Sequence, residues 1–96
     1  MLEKNLKTSV KAMIKRSFPQ AWCYKTNDRT TSGIPDLIIC MYGRFIAIEL
    51  KTAKGKVSPI QDYTINAIKR AGGYAVVART VADVKLLLEE IWKKNC

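Results

Sequence analysis

Residues 33–51 read GIPDLIICMYGRFIAIELK, and the fold turns on them. From Asp36 to Met41 and again from Arg44 to Lys51 the residues are mostly β-formers, and Tyr42-Gly43 between them supplies a tight hairpin turn. With Tyr42 and Gly43 as a two-residue loop, Met41 opposes Arg44, and the antiparallel register carried backwards sets Asp36 opposite Glu49. Side chains alternate along a strand, so Phe45, Ala47, Glu49 and Lys51 share one face while Ile46, Ile48 and Leu50 take the other. Asp36, Glu49 and Lys51 are thereby brought to one place.

Outward from the hairpin, the chain alternates helical and strand patterns. Upstream, Leu2, Leu6, Val10, Met13 and Ile14 fall on one face of a helix over residues 2–17, with Lys4, Lys7, Lys11 and Lys15 along another. The wheel sets Glu3 within the apolar arc, turned toward the fold. After Pro19, residues 21–26 have strand-like content and residues 27–33 read as a loop rich in turn formers. Downstream, Ser58-Pro59-Ile60-Gln61 combines a serine N-cap, a proline at the first helical position and a glutamine three residues after the cap. The helix it opens runs to about Ala71 and ends at Gly72-Gly73. Tyr74 to Ala78 is a short apolar strand. Thr80 with Asp83 caps a last helix whose Val84, Leu87, Leu88 and Ile91 form the buried stripe. The order is helix, three strands, helix, strand, helix, and the strand-helix-strand crossover makes the final strand parallel to its predecessor in the hairpin. The class is α/β, a central mixed four-stranded sheet flanked by helices, in one domain over residues 1–96.

Seventeen Lys and Arg against eight Asp and Glu give a net charge of +9, a field that attracts polyanions, with nucleic acid the first to consider. The absence of histidine excludes Ser-His-Asp and Cys-His catalysis, HExxH zinc sites and histidine-base nucleases. Three cysteines without a CxxC spacing give neither a disulfide framework nor a zinc knuckle. No apolar stretch reaches the ~20 residues of a membrane span and no signal-peptide core follows Met1, so a soluble cytoplasmic protein is expected, without membrane or small-molecule cofactor. Hydrolysis, if it occurs, must rest on carboxylates, lysine and metal.

Two carboxylates at one point repel, and each acquires a raised pKa unless a cation compensates. Lys51 supplies part of that charge. A divalent ion supplies the rest, because the hard oxygens of Asp36 and Glu49 suit Mg²⁺ or Mn²⁺ and leave positions for water and phosphate. The plainer alternative makes Asp36 a turn residue after Pro35, with Glu49 and Lys51 a weak solvent-facing pair. Spacing alone favours that alternative.

The wider pattern favours the metal site. Gly33-Ile34-Pro35-Asp36-Leu37, Ile48-Glu49-Leu50-Lys51 after a hairpin, and Ser58-Pro59-Ile60-Gln61 opening a helix resemble the signature of the virus-type replication-repair nuclease (VRR-NUC) domains of the PD-(D/E)XK superfamily, in their stand-alone, phage-like form. The match runs from Gly33 to Gln61 at the family's spacing, and the flanking elements fit the family's restriction-endonuclease-like αβββαβ core with a C-terminal helix. The resemblance implies that Asp36 and Glu49 bind metal, that the backbone carbonyl of Leu50 completes the shell, and that Lys51 orients or activates the water. It also implies a site role for Gln61, which a capping box would equally require for the helix terminus. Glu3 matches the acidic residue that the superfamily often carries on its first helix; the alternative is a first-turn glutamate favoured by the macrodipole and paired with Lys7.

Lys4, Lys7, Lys11, Lys25, Arg29, Lys54 and Lys56 surround this constellation in sequence and are candidates to track a phosphate backbone, with Ser32 a loop contact or only a turn residue. The resemblance implies a metal-dependent, structure-selective DNA endonuclease acting as a homodimer on branched DNA, in the manner of a Holliday-junction resolvase in DNA repair. A basic DNA-binding module that positions DNA without cutting it is the alternative. A purely structural or ribosome-associated protein would account for the charge but not for the three spaced motifs.

Overall fold

The computed structural model describes residues 2–26 and 33–94. The elements are α1 (Glu3–Ser17), β1 (Trp22–Lys25), β2 (Leu37–Met41), β3 (Arg44–Leu50), α2 (Pro59–Arg70), β4 (Tyr74–Ala78) and α3 (Val81–Lys94). They form a mixed four-stranded sheet in the order β1-β2-β3-β4, with helices against it, as the periodicity predicts.

The hairpin sets the register. Tyr42 and Gly43 both have positive φ, 55° and 74°, the geometry of a two-residue turn whose twist matches that of the strands it joins. Met41 consequently pairs with Arg44 and Leu37 with Ile48. β1 lies antiparallel on the outer side of β2, with Lys25 opposite Leu37. The α2 crossover returns the chain parallel to β3, pairing Leu50 with Ala78.

Strand alternation then divides the apolar residues between two layers. Leu37, Ile39, Ile46, Ile48 and Leu50 pack with Leu6, Val10 and Ile14 of α1 and with Val84, Leu88 and Ile91 of α3. Burying each such side chain stabilises the fold by about 1.5–3 kcal/mol against leaving it in water. The other face is thinner: Ala47 and Ala75 pack with Ile65 of α2, flanked by Ile38, Ile68 and Val77. Small residues on the strands let α2 approach closely, which matters for the site because α2 begins beside it.

Both ends of α2 follow the sequence. Ser58 Oγ accepts from the Gln61 N–H, and Gln61 Oε1 accepts from the Ser58 N–H, a reciprocal capping box. At the other end Gly72 takes φ +97°, and the N–H groups of Gly72 and Gly73 donate to the Lys69 and Ile68 carbonyls, which closes the helix as a Schellman motif. At α3, Thr80 and Asp83 exchange backbone-to-side-chain bonds as expected.

The N-terminus departs from the wheel. Leu2 is the N-cap of α1 and is 70% exposed, and Glu3 is exposed rather than turned into the fold. The buried stripe starts at Leu6 because the first turn reaches past the core. Two smaller differences concern strand ends: β1 is four residues, and Asp36 lies just before β2 rather than within it. Leu87 sits at the border of the α3 stripe, partly buried. The turn-rich segment over residues 27–32 lies outside the described residues, and with it Arg29 and Ser32.

Candidate active site

The site is built where β2 enters the sheet and β3 leaves it. Glu49, near the end of β3, is 3% exposed and is the one charged residue buried among those described. Lys51 Nζ lies 3.3 Å from Glu49 Oε2, and Gln61 Nε2, arriving from the first turn of α2, donates to the same oxygen at 3.1 Å. Gln61 therefore both caps α2 and bonds Glu49. On the β2 side, Asp36 Oδ2 accepts the Leu50 N–H at 2.8 Å, which ties the aspartate to the strand that carries the glutamate. Asp36 Oδ1 lies 3.5 Å from Lys7 Nζ, which reaches it from α1.

The approach to Asp36 is fixed by its neighbours. Gly33 has φ +73°, and a Cβ there would stand 2.7 Å from the Ile60 carbonyl oxygen, so only glycine lets this segment lie against the start of α2. Thr26 holds the other side, its Oγ1 donating to the Pro35 carbonyl at 2.7 Å and its N–H to the Asp36 carbonyl at 2.9 Å.

Pro35 has a further consequence. In the hairpin register the hydrogen-bonded pairs are Met41–Arg44, Ile39–Ile46 and Leu37–Ile48, so the next would be Pro35–Leu50. Proline has no N–H to give the Leu50 carbonyl, and the Leu50 N–H is taken by the Asp36 carboxylate. By this register the Leu50 carbonyl has no ladder donor at Pro35. The described residues contain no cluster of three or more His, Cys, Asp or Glu side chains. The available donors are thus two carboxylates and this carbonyl, all hard oxygens, a set that fits Mg²⁺ or Mn²⁺ with the remaining positions left for water and phosphate.

The electrostatics point the same way. Burial, and next the neighbouring Asp36 carboxylate, push the Glu49 pKa up to about 7, against an opposing pull from Lys51. A carboxyl raised in the folded state binds more protons folded than unfolded, so its ionisation costs stability as pH rises through the folded value. With no histidine in the chain, few other side chains titrate in that window. The metal-free protein is therefore expected to resist urea better at about pH 5 than at about pH 8, and added Mg²⁺ to restore stability at the higher pH. Urea midpoints with chelator or metal at both pH values test this. A metal-free midpoint that rises across the interval would show that Glu49 is not strained by its charge.

The other predicted site residues divide. Lys4, Lys11, Lys25, Lys54 and Lys56 are exposed, free to meet a phosphate backbone. Lys7 is different: it is half-buried against Asp36 and belongs to the carboxylate cluster rather than to an outer surface. Glu3, exposed, lies one helical turn before Lys7 on the same side of α1. Sequence reasoning missed Arg79. Its Nη1 donates to the Thr52 and Gly55 carbonyls, each at 2.7 Å, and so braces the basic turn that follows Lys51. Nothing in the local pattern around Arg79 signals a contact more than 20 residues away.

The fold has counterparts among solved structures. A solved VRR_NUC domain protein superposes with a TM-score of 0.79 at 23% identity, over 94% of this chain and 87% of its own. A second solved VRR_NUC domain does so with a TM-score of 0.68 at 23% identity, over 85% of this chain and 92% of its own. At that identity the likeness is one of fold. No curated protein matches in sequence. The VRR-NUC domain family model matches residues 2–82, which include every element from α1 to β4 and all of the carboxylate cluster. The chain belongs to the VRR-NUC domain family, nucleases of the PD-(D/E)XK type, a type that generally uses divalent metal and acts on DNA.

Proposed function

We propose that this chain is a Mg²⁺- or Mn²⁺-dependent endonuclease that hydrolyses phosphodiester bonds in branched DNA, four-way junctions foremost, as a homodimer in the cytoplasm of a bacterial host. The observation that carries the reading is the buried Glu49 carboxylate held by Lys51 and Gln61 beside Asp36. A charge is buried at such cost where a counter-ion or a reaction requires it.

Asp36, Glu49 and the Leu50 carbonyl would hold the ion. When bound, it supplies Lewis-acid polarisation of the phosphodiester and acidifies the attacking water. Gln61 keeps the Glu49 carboxylate in one rotamer, Lys51 orients the water, and Lys7 balances the charge of Asp36. Glu3, one turn before Lys7, would add a carboxylate from α1. Water attacks phosphorus in line, the bond to the 3′ oxygen breaks, and the products carry a 5′-phosphate and a 3′-hydroxyl. Lys4, Lys11, Lys25, Lys54 and Lys56, with Arg29 and Ser32, grip the DNA backbone and do not read its sequence.

Paired cuts need two sites related by a two-fold axis, and one chain has one carboxylate pair. Leu86 and Trp92, 64% and 41% exposed on α3, offer apolar surface for a second copy. Cleavage of matched junction, flap and linear duplex substrates with Mg²⁺ or chelator, alongside sedimentation at micromolar concentration, tests the whole reading. Metal-dependent cutting of junctions by a dimer is expected. A monomer that cuts linear duplex equally well would remove the junction and dimer assignments, and absence of metal-dependent cutting of any substrate would remove the nuclease.

A further inference from the structure

The sheet face that carries Glu49 is only half covered. α2 packs over β3 and β4 through Ile65, Ala47 and Ala75, and leaves the part over β1 open. There, Trp22 and Tyr24 are 59% and 52% exposed, with parallel rings 4° apart in plane and 5.9 Å between centroids. Cys23 between them packs toward the α1 and α3 core, so both rings stand on the α2 face.

The register connects these rings to the carboxylates. Trp22, Cys40 and Phe45 form one cross-strand row, and Tyr24, Ile38 and Ala47 the next. The row after that is Thr26, Asp36 and Glu49, with the Thr26 N–H bonded to the Asp36 carbonyl. Rows are spaced by two residues of strand, about 7 Å, which is close to the span of one extended nucleotide. Tyr24 therefore stands one such step from the site and Trp22 two.

We infer that Trp22 and Tyr24 form a stacking platform for unpaired bases of the DNA strand that leads into the Asp36–Glu49 site. The inference rests on the nuclease reading for the direction of the strand, and on ring geometry for the contact. Two aligned, exposed rings offer flat π surface, and a base presents a matching face only where it is unpaired. Charge selects the occupant. The chain carries +9, so a polynucleotide brings the opposite charge to this open face whereas a second copy brings like charge. The platform assigns a preference to this nuclease: substrates with unpaired nucleotides beside the cut, such as flaps, gaps or the open centre of a branch.

The test uses the full chain, a short single-stranded oligonucleotide and a blunt duplex of the same sequence. In a Trp92→Phe background, the single strand should quench Trp22 fluorescence. Trp22→Ala with Tyr24→Ala should weaken single-strand binding by about tenfold or more, while duplex affinity moves by less than about twofold. Trp22→Phe, which keeps a ring, should bind nearly as the parent does. Equal losses on both DNAs, or no loss on the single strand, would overturn the platform. So would a sedimentation shift in the absence of DNA that the double variant abolishes, since the face would then belong to a second copy. Quenching that persists in a protein without metal-dependent cleavage would keep the platform and remove the nuclease reading instead.

Discussion

Glu49→Gln and Asp36→Asn are each expected to lower the cleavage rate by about a thousandfold or more while leaving DNA affinity within a fewfold of the parent. A divalent ion contributes several kcal/mol of transition-state stabilisation, and each 1.4 kcal/mol is about tenfold in rate. The carboxamides keep the shape of both side chains and remove the charge that would hold the ion. Glutamine at 49 can still accept from Gln61 Nε2, and asparagine at 36 can still accept from the Leu50 N–H, so the local frame should survive. On the proposed reading DNA affinity rests on exposed lysines elsewhere, which neither change touches. The two variants should separate in stability. Glu49→Gln removes a buried charge whose pKa is pushed up to about 7, and above that pH the metal-free variant should be the more stable protein. Asp36→Asn lifts only the second cause of that shift, burial remaining, and leaves Lys7 without its ionic partner, so its gain should be smaller. Single-turnover cleavage, DNA anisotropy without metal and urea midpoints measure the three properties. Parental cleavage by either variant would show that the ion is held elsewhere.

The site is encoded partly in local pattern and partly in packing. The hairpin was legible because Tyr42-Gly43 allows few turn geometries, and the turn fixes every pair up to Leu37–Ile48 by counting. Gln61 was legible as a cap because a capping box fixes where the helix starts, and so where its first side chains stand. What the sequence could not show is docking. The lysines of α1 look alike on a wheel, and only the packing of Leu6 and Val10 on the sheet decides that Lys7, not Lys4 or Lys11, meets Asp36. The wheel also assumes that every turn has a sheet to pack on, which fails for Leu2 and Glu3. Trp22 and Tyr24 read simply as strand residues, since alternation assigns a face but does not say whether that face is covered. Arg79 likewise acquires its role only when the crossover brings the end of β4 beside the turn after Lys51.

Lys51→Ala is expected to lower the rate at neutral pH by about 10²- to 10⁴-fold, the range of a positioned proton-transfer group, and the pH dependence of that loss should separate two causes. The first is electrostatic. Lys51 Nζ, 3.3 Å from Glu49, opposes the burial and the Asp36 charge that raise the Glu49 pKa. Without it the pKa climbs further, more Glu49 is protonated at neutral pH, and a protonated carboxyl is a poor ligand. Raising the pH reverses this part by at most about tenfold per unit, until Glu49 is ionised again. The second is positional, the loss of an ammonium that orients the attacking water, and no pH restores it. Lys51→Arg divides them independently: it returns a positive charge beside Glu49 but spreads it over a planar fork of different reach. If both causes operate, the Lys51→Ala rate should rise more steeply with pH than the parental rate and still level off well below it, with Lys51→Arg between the two. Full recovery at high pH would mean that Lys51 acts only through Glu49. A rate that stays low with the parental pH profile would mean that its charge does not govern Glu49, and that the ammonium serves the water alone.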